Sequence, residues 1–115
     1  ISEDRWQEDK KRLLRKLISV ADNLERALSH AQPGDPLADG VRMTYEQLQE
    51  ILAQEGVQAI ESVGQPFDPS VHEAVEVVQE EGDRRGDVVD EEMLKGYLYK
   101  DKLLRPAQVR VRKGS

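Results

Sequence analysis

From Glu3 to Ala31 the chain contains neither Gly nor Pro, and its apolar residues fall into two adjacent stripes. Leu13, Leu17, Val20, Leu24, Ala27 and Ala31 step by four and three, the seam of a coiled coil. Leu14, Ile18, Ala21 and Leu28 run beside it. Together they make a face too wide for a two-stranded coil and suited to a four-helix bundle. A helix packed only on its own domain is the simpler reading. The chain offers just one other long helix to cover the face, which favours closure between two protomers. Ser2 is followed by Arg5 rather than by Glu or Gln at the third helical position, so no capping box marks a helix start.

The second helix is announced by punctuation. Gln32-Pro33-Gly34-Asp35-Pro36 breaks the first pattern, and Asp35 before Pro36 reads as an N-cap followed by Pro at the first helical position. The helix then runs to about Glu55, with Val41, Tyr45, Leu48 and Leu52 on one face and Ile51 beside them. Gly56 stops it as a left-handed residue. Two helices joined by a short loop form a hairpin, and two hairpins complete a four-helix bundle as a homodimer. The expected dimerisation set is Leu13, Leu14, Leu17, Ile18, Val20, Ala21, Leu24 and Leu28 with Val41, Tyr45, Leu48 and Leu52. Gly40 fits two readings, a tolerated early-helix Gly or a place where a partner's backbone approaches.

Composition agrees with a shared core. Of 115 residues, 37% are hydrophobic, 35% charged and only 4% aromatic, too little apolar material for a generous spherical interior. The net charge of −6 disfavours a general nucleic-acid binder. The absence of Cys removes disulfide and thiolate chemistry and suits a reducing, cytoplasmic compartment. No apolar run approaches membrane-spanning length, and no signal peptide is visible. No repeat or low-complexity segment is present.

After Gly56 the period changes. Val57 to Val63 can form a strand, Gly64-Gln65-Pro66 breaks it, and Pro69 to Glu73 makes a short turn. Ala74 to Glu80 and Val88 to Lys95 read as strands around a polar loop, Glu81 to Asp87. Tyr97 to Tyr99 reads as a strand and Lys100-Asp101-Lys102 as a reversal. Val109 and Val111 alternate with Gln108, Arg110 and Arg112, the period of a half-buried strand whose wet face carries the arginines and Lys113. Pro106 belongs at an edge, a strand start or a bulge. The expected fold class is α+β, with a helical dimerisation region over 1–56 and a small β domain over 57–115.

Few residues suggest covalent chemistry. Asp68, Ser70 and His72 are the residue types of a hydrolytic triad, but alternate residues of one segment do not converge as triads do, and no Gly-x-Ser-x-Gly elbow is present. Asp68 is better placed to satisfy turn N–H groups beside Pro69, and His72 to hydrogen-bond within its domain. His30 and His72 lie in different halves, with no metal-ligand spacing. There is no phosphate-binding loop or dinucleotide fingerprint. No cofactor, metal or directly bound nucleotide is expected. The basic run Lys10-Lys11-Arg12 with Arg15 and Lys16 is preceded by Glu3, Asp4, Glu8 and Asp9, which reads as a solvated helix flank rather than a DNA-reading helix.

Two separated stretches agree in order and spacing with a known signature. Phe67-Asp68-Pro69, His72 and Ala74-Val75 form one. Gly96-Tyr97, Asp101, Leu104-Arg105, Ala107, Val109 and Val111 form the other. The pair resembles the GrpE family, the nucleotide exchange factors of DnaK-type chaperones, and the likeness extends upstream through Asn23-Leu24-Glu25-Arg26-Ala27-Leu28. The resemblance implies a non-enzymatic co-chaperone that binds the ATPase domain of its partner and accelerates ADP release. It implicates Phe67, Pro69, Met93, Lys102 and Val111 of the β domain and Ser29, His30 and Gly40 of the hairpin in that contact. Read without their partner, Phe67 and Val111 also suit a core, Met93 a gap in the sheet, and Lys102 a solvated turn. Most of the family's long N-terminal helix is missing from this sequence, so a segment of a longer protein is expected. The hairpin and β domain taken alone would equally suit a dimeric adaptor without exchange activity.

Overall fold

The computed structural model describes residues 2–82 and 86–114. Helices α1 (Glu3–Ser29) and α2 (Pro36–Gln54) are followed by six strands: β1 (Val57–Ala59), β2 (His72–Glu80), β3 (Val88–Leu94), β4 (Tyr97–Tyr99), β5 (Lys102–Arg105) and β6 (Ala107–Gly114). The chain is α+β, with its helices first and its strands in two small sheets. It forms two compact units, Ile1–Gln58 and Ala59–Ser115.

Both helix starts are capped. Asp35 accepts a hydrogen bond from the Leu37 N–H at 2.9 Å, with Pro36 at the first helical position, as its place before Pro36 suggests. Ser2 Oγ accepts one from the Arg5 N–H at 3.2 Å. The absence of a capping box was therefore a poor guide, because a Ser N-cap works without the returning Glu. Gly56 follows the second helix at φ +91, the left-handed stop expected of it.

The hairpin is antiparallel. Lys10 pairs with Glu55 at 3.3 Å, and Tyr45 donates its hydroxyl to Glu25 at 2.8 Å. Leu14, Ile18, Ala21, Ala38 and Leu52 are buried within the single chain. Removing each such Leu or Ile from water contributes about 1.5–3 kcal/mol. This divides the expected dimerisation set. Leu14, Ile18, Ala21 and Leu52 are already covered within their own protomer. Leu17, Leu24, Leu28, Val41, Tyr45 and Leu48 are half-buried. Of the seam, Leu13 and Val20 stay open, 57% and 49% exposed, and Ile51, Leu37 and Met43 are exposed on α2.

In the second unit, β6 is the middle strand of the order β2-β6-β3. It runs parallel to β2, setting His72 opposite Ala107 and Val77 opposite Val111. It runs antiparallel to β3, setting Val89 opposite Val111. Its alternation puts Ala107, Val109 and Val111 in a core with Val89, against which Phe67 packs. The opposite face is polar but not simply wet. Arg110 and Arg112 converge on Asp90 at 2.8 and 3.3 Å, and reach Glu91 and Glu80 at 3.1 and 2.8 Å.

Several strand expectations change. Val57 to Val63 gives only three strand residues, since Gly64 turns at φ +85 and Ser62 is already buried in the loop. The reversal after Tyr99 is Lys100-Asp101, both at positive φ (48 and 66), a two-residue loop of the primed type. Lys102 therefore begins β5, and Pro106 separates β5 from β6, so the stretch supplies three strands to two sheets rather than one pair. The loop expected over Glu81–Asp87 lies partly outside the described residues.

Candidate functional site

The first motif folds into a closed turn. Asp68 Oδ1 accepts from the Ser70 N–H at 2.9 Å and from the Ser70 hydroxyl at 2.7 Å, as its place beside Pro69 suggests. Those hydrogen bonds from Ser70 hold the Asp68 carboxyl below its ordinary pKa. The Asp68 N–H donates to His72 Nδ1 at 2.9 Å, and the His72 N–H donates to the Asp68 carbonyl at 2.8 Å. His72 is buried, and its ring stacks on Phe67 with centroids 5.9 Å apart. The backbone donor at Nδ1 leaves the neutral ring's proton on Nε2, which has no partner among the described residues. The Ser70 hydroxyl is spent on Asp68 rather than aimed at His72, so this constellation is a turn and not a hydrolytic triad.

The second motif locks onto the first. The Ala107 N–H donates to the Val71 carbonyl at 3.0 Å, joining the head of β6 to the turn before β2. Gly96 lies where two segments meet. A Cβ there would collide with the backbone of Ala107 and come within 2.8 Å of Ile60 Cδ1, and its carbonyl accepts from the Ile60 N–H at 2.9 Å. Arg105 clamps the same corner, donating from Nε and Nη2 to the Lys95 carbonyl at 3.0 and 2.6 Å while its guanidinium lies over the Tyr97 ring at 5.5 Å. Gly96, Arg105, Ala107, Val109 and Val111 therefore build the corner and the core.

That division sorts the residues implicated in partner contact. Val111 is only 1% exposed and lies in the core, which corrects its assignment as a contact. Phe67 is half-buried between that core and His72. Pro69 and Lys102 are exposed, and Met93 is 42% exposed at the register break between Glu92 and Leu94. Met93, Lys102 and Val111 are thus not three members of one surface. In the hairpin, Ser29, His30 and Gly40 are all exposed. Ser29 Oγ donates to the Arg26 carbonyl at 2.7 Å, and His30 caps α1. A side chain at Gly40 would meet nothing within 4 Å.

Sequence reasoning did not find the Arg105 clamp or the role of Asp90. The latter had a signal, since Asp90 on one strand and Arg110 and Arg112 on another are opposite charges in period-two strands. The hydrogen bond from Arg110 holds the Asp90 carboxyl below its ordinary pKa, and Asp90 raises that of Arg110.

The GrpE family profile matches residues 2–113. The chain is 51% identical over 102 residues to "Protein GrpE" of Carboxydothermus hydrogenoformans, a match covering 87% of this chain and 52% of that protein. It is 44% identical over 101 residues to "Protein GrpE" of Latilactobacillus sakei, covering 88% and 51%, and 46% identical over 98 residues to that of Geobacillus kaustophilus, covering 83% and 46%. The chain spans about half the length of the curated relatives it matches. With the profile covering nearly all of its length and both motifs in place, this chain belongs to the GrpE family.

Proposed function

We propose that this chain is the dimerising and partner-binding part of a co-chaperone that promotes nucleotide exchange on a DnaK-type chaperone. The observation that carries the reading is the family match across residues 2–113, which includes both the hairpin and the β unit. The helical region, 1–56, is the dimerisation element, and the open stripe with Leu13 and Val20 is its interface. The β domain, 57–115, supplies the larger contact, with Met93 as an exposed apolar anchor and Lys102 as a rim charge. Pro69 is a further surface contact in that unit, and Ser29, His30 and Gly40 are the hairpin's contacts.

No covalent step is required. A factor that binds the open, nucleotide-free chaperone more tightly than the ADP-bound form must, by linkage, weaken ADP binding by the same factor. A coupling of about 1–3 kcal/mol gives 5–150-fold, so faster exchange demands a larger differential affinity. ATP rebinding then releases the factor.

The test is release of a fluorescent ADP analogue from a DnaK-type chaperone with and without this protein. Acceleration that saturates with protein concentration is expected. Met93→Ala should weaken the interaction by about 1–2 kcal/mol if the side chain is an anchor. Lys102→Glu should act mainly on association rate and salt dependence. Chaperone binding without any change in ADP release would leave a dimeric adaptor instead.

A further inference from the structure

We propose that the outer edge of β2 is a docking site for an extended, basic segment of a partner polypeptide, which adds to the sheet as a fourth strand. The site is distinct from the residues implicated above, none of which lies on β2. In the order β2-β6-β3, strand β2 has a neighbour on one side only. Its nine residues span about 30 Å, and on either side of the register break between Ala74 and Glu76 every second one turns its N–H and C=O outward. Among the described residues, no backbone group from Glu73 to Glu80 bonds to anything but the strand ladder. The other outer strand is blocked at one end. Pro66 bridges to Val88, the Val89 N–H donates to the Gln65 carbonyl at 2.9 Å, and the Gly64 N–H donates to the Val89 carbonyl at 2.8 Å.

The side chains of β2 define what would fit. All residues from Glu73 to Glu80 are exposed. Val75 is 48%, Val77 51% and Val78 37% exposed, a high apolar exposure for one strand. Val77 opposes Val111 on the core side while Val78 opposes Arg112 on the other, so an added strand would find a valine on each face. From Val71 to Gly82 there are four carboxylates, Glu73, Glu76, Glu80 and Glu81, and neither Lys nor Arg. Glu80 is held by Arg112, and Glu76 adds to the field that raises the pKa of Arg110, while Glu73 and Glu81 have no ion pair among the described residues. A second copy of β2 would set carboxylates against carboxylates, which opposes self-pairing. A segment alternating Lys or Arg with β-branched residues satisfies the charge, the valines and the open backbone groups together.

The probe is a soluble nine-residue peptide alternating Lys and Val, with two controls: Glu in place of Lys, and N-methylation of alternate amides so that one edge cannot donate. Binding to the intact protein is followed by fluorescence anisotropy, and its location by amide hydrogen exchange. The Lys-Val peptide is expected to bind saturably and to slow exchange at residues 73–80. The Glu peptide should not bind, and N-methylation should weaken binding at least about tenfold through lost edge hydrogen bonds. Glu73→Lys with Glu76→Lys should also weaken it, with circular dichroism showing the fold retained. If that variant misfolds, the N-methylated peptide on the unaltered protein still decides. Equal binding of the N-methylated peptide would mean charge attraction alone and would overturn strand addition. So would protection elsewhere, no binding at millimolar peptide, or β2 protection that rises with protein concentration in the absence of peptide.

Discussion

Two glycines separate what the motif is for from what a partner could use. At Gly96 the nearest obstacles are backbone atoms of Ala107, which cannot rotate aside. Gly96→Ala should therefore cost about 1–3 kcal/mol, measured as a lower melting temperature of the β signal. Gly40 has open space and no positive φ, so Gly40→Ala should stabilise α2 by up to about 1 kcal/mol. If the same substitution weakens chaperone binding, a partner's backbone passes there; unchanged binding favours the tolerated Gly. Asp90 offers a pH test. Its folded pKa lies below the ordinary carboxylate value, so its contribution is present above about pH 4 and fades as pH falls through the folded pKa. Asp90→Asn should flatten the acid limb of the stability curve below about pH 4, read from urea midpoints at successive pH values. At this scale the sequence revealed the Asp68 turn, because an Asx turn is local. It did not reveal the Arg105 clamp, because Lys95 and Tyr97 approach Arg105 only after the hairpin folds. Val111 was legible from the alternation of β6, and the likeness to a family pointed the other way.

Helix α1 shows how far periodicity reads. It found both stripes and could not say which would be covered by its own chain. The answer depends on how α2 is rotated against α1, and a heptad count carries no record of that. In the rotation adopted, Leu14, Ile18 and Ala21 turn inward, and the Lys10–Glu55 and Glu25–Tyr45 contacts accompany it. Leu13 and Val20 stay exposed, so they are the positions that can test association without breaking the protomer. Leu13→Asp with Val20→Asp should convert a dimer to a monomer in sedimentation, since each buried unpaired carboxylate costs several kcal/mol. Helix content should fall only in part, because the inner stripe is untouched. A double variant that still sediments as a dimer would remove this stripe as the interface.

For the whole molecule, the change of period after Gly56 marked where helices give way to strands. If the hairpin shares its core with a second copy and the sheet does not, the helical melting temperature should rise with protein concentration while that of the sheet holds. One transition moving together in both probes would exclude separate cooperative units. The sheet order was hidden from sequence, because alternation tells which face of a strand is buried and never which strand lies beside it. That order has a consequence for how the protein is made. Strand β6 joins β2 to β3, yet it leaves the ribosome after both. Until it arrives, two outer strands have no middle, and Val75, Val77 and Val78 are open to any neighbouring nascent chain. The glutamates interspersed among them would then act during synthesis as repellents of stray pairing, holding the place until the strand that belongs there is complete.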